Sequence, residues 1–304
     1  MRFATTYPLI SHPYHPDFAT GGGIAQVAAA AERAGFDGIG FTDHPAPSQR
    51  WLEGGGHDAL DPFVALSFCA AATTRIRLIP NVVVLPYRNP FVVAKAASTL
   101  DVLSGGRFTL AAGAGYLKGE FAALGVDHAE RNELFDEAID TIRAIWTTDA
   151  VTIEGRHFNA RGVTAHPRPT APPPIWIGGN SAQARQRVAD RGDGWAPFAA
   201  PAGLAKTART VALSTVDELA VLVDDLRGRL AAAGRDPDSI DISFGCGAGG
   251  DPASDDFDAD AHLAGLAELA AIGVTWVQVG VPGDDLGHTL ETLERYGRQV
   301  ISRT

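Results

Sequence analysis

Residues 28–42 read AAAAERAGFDGIGFT, an alanine-rich stretch followed by Gly35 and a short run of β-forming residues, Phe36–Thr42. Glycine tolerates left-handed backbone angles, so Gly35 is a natural end for a helix. The same order of helix, glycine and strand recurs at Leu269–Gly273 and Thr275–Val281. Because parallel strands need a crossover connection, usually a helix, the repetition predicts an α/β protein with a helix-covered parallel sheet.

Short β-type runs alternate with longer helical runs along the whole chain. The clearest helices are residues 131–146 and 217–233, each with its apolar residues on one face. Eight such units favour one single-domain (β/α)8 TIM barrel over residues 1–304, although an open doubly wound sheet shares the alternation. The strand candidates are Arg2–Pro8, Phe36–Thr42, Ile76–Leu85, Phe108–Ala112, Ile175–Gly178, Gly194–Phe198, Ile240–Cys246 and Thr275–Val281.

One region interrupts the regularity. Residues 151–174 show little helix signal and end in HPRPTAPPP, which is too proline-rich for regular structure. The region is also too long for an ordinary connection, so we interpret it as an insertion before the fifth strand. It is either a surface spacer or a lid over the mouth of the barrel.

Composition narrows the range of partners. The formal net charge is -11 and no basic run is present, so nucleic acid and anionic membranes are not expected partners. The two cysteines, Cys69 and Cys246, stand far apart in apolar stretches and are interpreted as small buried residues. The N-terminal residues lack the apolar core of a signal peptide, and no apolar run is long enough to span a membrane. A cytoplasmic protein is the simplest expectation.

Asp43 and His44 directly follow the second predicted strand. In a barrel, the carboxyl ends of the strands form the active face. An imidazole there can hold or move a proton, and a neighbouring carboxylate can raise its basicity. On these two residues alone, a helix-capping aspartate beside a histidine is the alternative interpretation.

Two glycine-containing turns follow later strands. Residues 113–116 read Gly-Ala-Gly-Tyr, and glycine lets a flat ligand approach the backbone closely. This Gly-x-Gly lacks the third glycine and the acidic residue of a dinucleotide fingerprint. Residues 178–181 read Gly-Gly-Asn-Ser at a predicted strand-to-helix turn, where the helix start can bind phosphate or can simply be capped.

In combination, these stretches resemble the luciferase-like monooxygenase superfamily, most of all its actinobacterial branch of coenzyme F420-dependent oxidoreductases. The resemblance covers nearly the whole chain, and it depends on the order and spacing of modest motifs. Those motifs are Thr42-Asp43-His44, residues 87–91 (YRNPF), residues 99–107 (TLDVLSGGR), Gly113-Ala114-Gly115-Tyr116 with Glu120, and residues 176–181 (WIGGNS).

The resemblance implies roles for individual residues. Asp43 and His44 would lie beside the reactive carbon of the cofactor ring, with His44 as acid, base or stabiliser. Tyr116 stands where the sugar-phosphate dehydrogenase branch has an acidic proton donor, and Glu120, one turn onward, has an open role. The cofactor would contact a non-proline cis peptide at Asn81–Val82, a phosphate site at Gly178, Gly179 and Asn180, and also Gly113, Ala114, Gly115, Tyr116 and Trp195.

The resemblance implies hydride transfer between coenzyme F420 and a small organic substrate. The alternative on the same fold is a two-component monooxygenase that uses reduced FMN and oxygen. A metal-dependent hydrolase using His12, His15, His44 and His57 is less favoured, because the prolines after His12 and His15 indicate an irregular loop and no carboxylate ligand pattern appears. A non-enzymatic cofactor-binding barrel is the remaining alternative. We expect no bound metal, and the resemblance suggests a homodimer.

Overall fold

The computed structural model describes residues 1–208 and 210–304, without the side chains of residues 204 and 208. Short strands alternate with helices, as the sequence predicts. The strands are β1 (Arg2–Thr6), β2 (Gly38–Gly40), β3 (Arg77–Leu78), β4 (Val83–Val84), β5 (Leu110–Gly113), β6 (Val151–Glu154), β7 (Asn159–Val163), β8 (Ile175–Gly178), β9 (Gly194–Ala196), β10 (Asp241–Gly245) and β11 (Trp276–Val279).

Nine of these strands form one sheet in the order β3-β2-β1-β11-β10-β9-β8-β5-β4, and each neighbouring pair is parallel. The first and last strands of that order come from one segment of the chain. Leu78 also pairs with Phe108 in a parallel bridge, with its N–H donating to the carbonyl of Arg107 over 2.9 Å. The sheet is therefore curled so that its ends meet, which is a TIM-barrel-like α/β architecture.

The third predicted strand, Ile76–Leu85, is not one strand. It is divided into β3 and β4 by residues 79–82, which include Pro80 and a cis peptide bond between Asn81 and Val82. Proline has no N–H to donate, so it interrupts the hydrogen-bond ladder. The proline therefore divides the segment, and the cis bond that the resemblance implies between Asn81 and Val82 is confirmed.

The helices are arranged around the sheet, and residues at their ends satisfy free backbone groups. Gly35, for example, ends the first helix with φ 99°. No helix in the described part of the chain is long and apolar enough to cross a membrane. The helices are α1 (Gly21–Ala34), α2 (Gln49–Glu53), α3 (Pro62–Ala72), α4 (Pro90–Ser104), α5 (Lys118–Ala123), α6 (Arg131–Thr147), α7 (Ala182–Arg191), α8 (Ala202–Ala208), α9 (Val216–Ala232), α10 (Ala259–Ala271) and α11 (Leu286–Gln299).

Two apolar clusters hold the fold together. The larger lies between the sheet and the helices and includes most of the buried aliphatic side chains. The smaller consists of five buried residues, and Val82 packs against it while also lining the cavity described below. Val82 therefore lies where this small cluster meets the cavity. The five residues are Ala4, Ile79, Ala111, Trp176 and Trp276.

Residues 151–163 contain regular structure, so the expectation drawn from proline content is wrong for this half of the segment. β6 and β7 form an antiparallel pair. The hairpin lies against α6, where the Glu137 carboxylate accepts the backbone N–H groups of His157 and Phe158 at 3.1 and 2.8 Å. The prolines are confined to residues 167–174, which leaves the hairpin free to form. None of residues 151–174 is among the residues that line the cavity described below.

Candidate active site

A cavity of about 610 Å³ lies at the carboxyl ends of the parallel strands. Strands β5, β8 and β10 each contribute their last glycine to its wall, and the residues just after β2 contribute their side chains. Side chains that follow parallel strands converge because all of these strands end at one edge of the sheet. The predicted site residues that line the cavity are Asp43, His44, Asn81, Val82, Gly113, Ala114, Gly115, Tyr116, Gly178 and Gly179.

His44 is paired with Glu120, although the two residues are 76 positions apart in the sequence. Nδ1 of His44 lies 3.2 Å from Oε2 of Glu120, whose side chain is fully buried. The same carboxylate oxygen accepts the hydroxyl of Tyr87 at 2.9 Å, and the other oxygen accepts the N–H of Ala46 at 3.2 Å. Three donors therefore surround one carboxylate. In the neutral imidazole this arrangement places the proton on Nδ1 and leaves Nε2 as the ring nitrogen that can act on a ligand.

Aromatic rings enclose the other sides of His44. Its ring centroid lies 4.5 Å from that of Trp51 and 5.0 Å from that of His57, and Tyr116 meets it edge-on at 6.3 Å. Burial lowers the pKa of His57, and the neighbouring His44 lowers it further. Burial and the charge of Glu120 raise the pKa of both Tyr87 and Tyr116. His57 and the two phenols are therefore held in their uncharged forms beside the Glu120 carboxylate.

Asp43 also lines the cavity, but its carboxylate is already engaged. Oδ2 accepts the backbone N–H of Val84 at 2.9 Å, and Oδ1 accepts from the Arg88 guanidinium at 2.7 Å. Arg88 in turn pairs with Asp61 at 2.9 Å, and the two carboxylates raise the pKa of Arg88 despite the opposing effect of burial. Asp43 is thus tied to β4, directly after the cis peptide. Its contacts are those of a residue that positions the backbone.

The glycines at the strand ends make room for Val82. A Cβ atom on Gly113 would lie 2.9 Å from Cγ2 of Val82, and one on Gly178 would lie 3.3 Å from Cγ1. Gly115 has φ +75°, and a Cβ there would lie 2.6 Å from Cγ1 of Val84. These glycines therefore make room for neighbouring side chains, which the sequence pattern alone did not indicate.

The opposite end of the cavity lies at the start of α7. Ser181 caps this helix by accepting the N–H of Ala184, and Ser181, Gln183 and Arg187 all line the cavity. Arg187 is held by two hydrogen bonds to Asp136 at 2.7 and 3.2 Å. A helix N-terminus combines unpaired N–H groups with the positive end of the helix dipole, which suits an anion such as phosphate.

Three predicted site residues do not line the cavity. Glu120 acts on it through His44, as described above. Asn180 is fully buried, and its side chain bonds to the backbone of Phe198 and Val211. Trp195 is also fully buried and donates its indole N–H to the carbonyl of Gly179 at 2.9 Å. Both residues therefore shape the Gly178–Gly179 turn from behind.

Sequence reasoning missed several lining residues. Gln278 interrupts the otherwise apolar strand β11, and that pattern could have revealed it, whereas Ser243 shares β10 with the polar Asp241. Three other missed residues lie on helices, namely Arg131, Asn132 and Arg187. A polar residue on a helix does not by itself mark a site residue. The lining residues that were missed also include Thr42, Ser181, Gln183, Phe198 and Thr210.

The histidines considered for a metal site lie close to one another in part, since the ring centroids of His44 and His57 are 5.0 Å apart, but their ring nitrogens have other partners. His12 bonds to Asp58 at 2.9 Å, and His57 bonds through Nδ1 to the carbonyl of Asp58. Across residues 1–208 and 210–304, no three His, Cys, Asp or Glu side chains are grouped so as to hold a metal ion.

The TIM-barrel-like fold thus places His44 and several glycines around one cavity at the carboxyl ends of its strands. The sequence model of the luciferase-like monooxygenase family matches residues 9–271 of this chain. The match covers most of the chain, so the protein belongs to the luciferase-like monooxygenase family.

Two relatives and one solved structure show the range of similarity. The chain is 39% identical over 170 residues to an F420-dependent glucose-6-phosphate dehydrogenase of Beutenbergia cavernae, which covers 54% of this chain and 49% of that protein. It is 30% identical over 252 residues to an F420-dependent hydroxymycolic acid dehydrogenase of Mycobacterium tuberculosis, which covers 75% of this chain and 69% of that protein. The first alignment thus spans about half the length of the relative.

The solved structure of the monooxygenase RslO1 from Streptomyces bottropensis has the same fold. It superimposes with a TM-score of 0.81 over 100% of this chain and 99% of that chain, at 19% identity. At this identity, the likeness concerns the fold alone.

Proposed function

We propose that this protein is an F420-dependent oxidoreductase that transfers a hydride between the deazaflavin and a small organic substrate. The observation that carries the proposal is the His44–Glu120 pair, placed at a cavity whose far end is a helix N-terminus. The names of the two relatives, both F420-dependent dehydrogenases, support the same cofactor. The scaffold would be a closed, single-domain (β/α)8 barrel over residues 1–304, with residues 151–174 inserted before its fifth strand.

The lining residues fit a flat cofactor with a phosphate group. Val82, flanked by Gly113 and Gly178, offers an apolar surface on which a ring system can lie. Phosphate oxygens would meet Ser181 and the first N–H groups of α7, with Arg187 nearby. Ala114, Gly115 and Tyr116 would lie along the cofactor between these two ends. Asn180 and Trp195 would hold the Gly178–Gly179 turn rather than touch the cofactor.

The bound cofactor supplies a carbon that accepts or donates hydride. His44 would manage the accompanying proton. In alcohol oxidation the C–H hydrogen would leave as hydride to the acceptor carbon of the cofactor, the hydroxyl proton would pass to Nε2 of His44, and a carbonyl would form. Glu120 positions the ring by accepting from Nδ1 and stabilises the imidazolium that results. The reverse reaction uses the same proton in the opposite direction.

Asp43 and Tyr87 are positioning residues in this proposal. Asp43 joins Arg88 to the N–H of Val84 and so fixes the strand that follows Val82. Tyr87 donates to Glu120 and leaves that carboxylate oriented toward His44. Neither residue needs to touch the substrate.

The experiment is a binding titration of the purified protein with F420 and with FMN, each in oxidised and reduced form. Tight F420 binding with weak FMN binding is the expected result. The reverse preference would replace the proposal with the FMN-dependent monooxygenase. His44→Gln is the matched variant, because it keeps a polar side chain of similar size. It should bind F420 as the parent does and lose at least about a hundredfold in hydride transfer.

A further inference from the structure

A buried arginine of α7 is bonded to the turn that precedes the helix. The side chain of Arg185 is 7% exposed, and its Nη1 donates to the carbonyl oxygen of Asn180 over 2.7 Å. Its Nε pairs with the carboxylate of Asp225, on α9, at 2.6 Å. Arg185 is not among the residues that line the cavity, so it would act on a ligand only through the turn.

The bond from Arg185 sets the direction of the next backbone N–H group. The peptide bond between Asn180 and Ser181 is trans, and the C=O and N–H groups of a trans peptide point in opposite directions. The N–H of Ser181 therefore points away from Arg185, and Ser181 lines the cavity. Because the guanidinium also polarises the carbonyl, the N–H of the same peptide group becomes a stronger donor.

The preceding peptide group is held in the same manner. Trp195 donates its indole N–H to the carbonyl of Gly179, and the N–H of Asn180 donates to Oγ1 of Thr210 over 3.2 Å. Thr210 lines the cavity, and a hydroxyl that accepts this bond can still donate its own proton to a ligand. Two consecutive carbonyls of the turn are thus bound by buried side chains.

A second arginine of α7 indicates independently that this end of the cavity suits an anion. Arg187 lines the cavity, and its side chain is 7% exposed. Its Nε and Nη2 donate to Asp136 and Asn132. Within residues 1–208 and 210–304, no hydrogen bond joins Nη1 to another residue. Nη1 is therefore the nitrogen that remains for a ligand in the cavity.

Both arginines stand at the end of the helix where cations are disfavoured. Helix α7 begins at Ala182, so Arg185 and Arg187 lie in its first two turns, and its first turn has no acidic residue. The positive end of the helix dipole repels cations there. Asp225 is shared between Arg185 and Arg229, so one carboxylate faces two guanidinium groups and a positive charge remains. An anion at this end of the cavity would offset that charge.

On the basis of the proposed function, we infer that Arg185 is a positioning residue for the cofactor phosphate. It holds the carbonyl of Asn180 so that the N–H of Ser181 is directed at a phosphate oxygen, and its own charge adds to the attraction. Arg185 does not touch the phosphate. Its removal should therefore weaken the part of the affinity that depends on phosphate and leave the binding of the ring system unchanged.

The test measures how much of the affinity depends on the phosphate. Fluorescence titration gives the dissociation constants of F420 and of the same deazaflavin without its phosphate, and their ratio is the phosphate preference. Arg185→Met removes the charge and the donors of this side chain, and it should lower the phosphate preference about fivefold through weaker F420 binding alone. Equal weakening of both ligands, or no change in either, overturns the inference.

Arg235→Met is the matched control. Arg235 also binds α7, but at the other end, where it donates to the carbonyls of Val188 and Gly192 at 2.9 and 2.8 Å. The control should lose stability, measured by its melting temperature, and keep the phosphate preference of the parent. If it lowers the preference as much as Arg185→Met does, the effect belongs to the stability of the helix and the inference is wrong.

Arg185→Lys decides the question if Arg185→Met does not fold. Lysine keeps the charge, but one ammonium group cannot replace the guanidinium fork that joins Asp225 to the carbonyl of Asn180. The phosphate preference should fall about twofold to threefold. A preference equal to that of the parent overturns the inference.

Failure of the proposed function gives a different result. If the protein prefers FMN to F420, the same comparison is made with FMN and riboflavin, which also differ by one phosphate. If it binds neither cofactor, inorganic phosphate is titrated against the parent and Arg185→Met by phosphorus NMR. Weaker phosphate binding in the variant then supports the role of Arg185 without the proposed function, and equal binding overturns it.

Discussion

Val82 occupies the space that a side chain at position 113 would need, since a Cβ atom on Gly113 would lie 2.9 Å from Cγ2 of Val82. Val82 follows the cis peptide bond, packs on the buried Trp176–Trp276 cluster and faces the cavity. A side chain at position 113 on β5 would therefore displace Val82, the residue that would support the cofactor ring. The first prediction follows from this contact.

Gly113→Ala should weaken F420 binding by about tenfold, because the added methyl displaces Val82 from the cavity wall. The measurement is a fluorescence titration with F420. Adding Val82→Ala to the variant removes the clash and should recover part of the affinity. Gly228→Ala is the control, since that helical glycine has nothing within 4 Å of an added Cβ and should gain about 0.5–1 kcal/mol of stability. Unchanged F420 affinity in Gly113→Ala would contradict this coupling.

Asp43→Asn should lower the free energy of unfolding by about 3 kcal/mol, because it leaves the half-buried Arg88 without its buried partner. Chemical denaturation measures the change. Asp61→Asn is the control: it removes the other partner of Arg88, which is 39% exposed, and asparagine preserves the cap at the start of α3. Its cost should stay below about 1 kcal/mol. An equal loss of unfolding free energy in Asp43→Asn and Asp61→Asn would show that burial does not strengthen the contribution of Asp43.

Glu120→Gln should lower the rate of alcohol oxidation by about a hundredfold with little change in F420 affinity. The measurement is the rate of F420 reduction at saturating alcohol, followed by absorbance, with F420 affinity titrated in parallel. A rate equal to that of the parent would contradict the assigned role of Glu120.

Tyr87→Phe should have a smaller effect than Glu120→Gln, about fivefold, since it removes one of three hydrogen bonds to the carboxylate. Burial and Glu120 raise the pKa of Tyr87, so its hydroxyl stays protonated in the assay range. The alkaline limb of the pH–rate profile should therefore be the same in the variant and the parent. A shifted alkaline limb would show that Tyr87 titrates during the reaction.

Glu32→Gln should destabilise the protein by about 1 kcal/mol or more at neutral pH and by much less in acid. Burial opposes ionisation, but the N–H groups of Ile76, Arg75 and Thr74 together lower the pKa of the Glu32 carboxyl. As the pH falls, Glu32 is therefore protonated in the unfolded chain before it is protonated in the folded protein. The stability that the Glu32 carboxylate contributes is fully present above the ordinary carboxyl pKa, and it is lost as the pH falls through the lowered pKa. Denaturation curves of parent and variant at several pH values test this.

Glu154→Gln, an exposed position on β6, is the control for Glu32→Gln. It should not change the free energy of unfolding at either end of the pH range by more than about 0.5 kcal/mol. A stability difference between parent and Glu32→Gln that persists in acid would contradict the assigned linkage.

Much of the architecture could be predicted because its signals are local. The glycine that ends α1, the capped start of α7 and the alternation of short strands with amphipathic helices depend on residues within one or two turns of each other. Residues that follow parallel strands must meet at one edge, so the sequence predicts that Asp43, His44 and the glycine turns share one site, and they line one cavity.

Only the tertiary structure determines which residues from different strands and helices contact one another. Glu120 reaches His44 across 76 positions of sequence, Val82 fills the space beside Gly113 and Gly178, and Asn180 turns away from the cavity toward the backbone of Phe198. Each of these contacts depends on how the strands curl around one another. Sequence spacing encodes the period of a helix or strand, whereas the distance between residues on different strands is determined by packing.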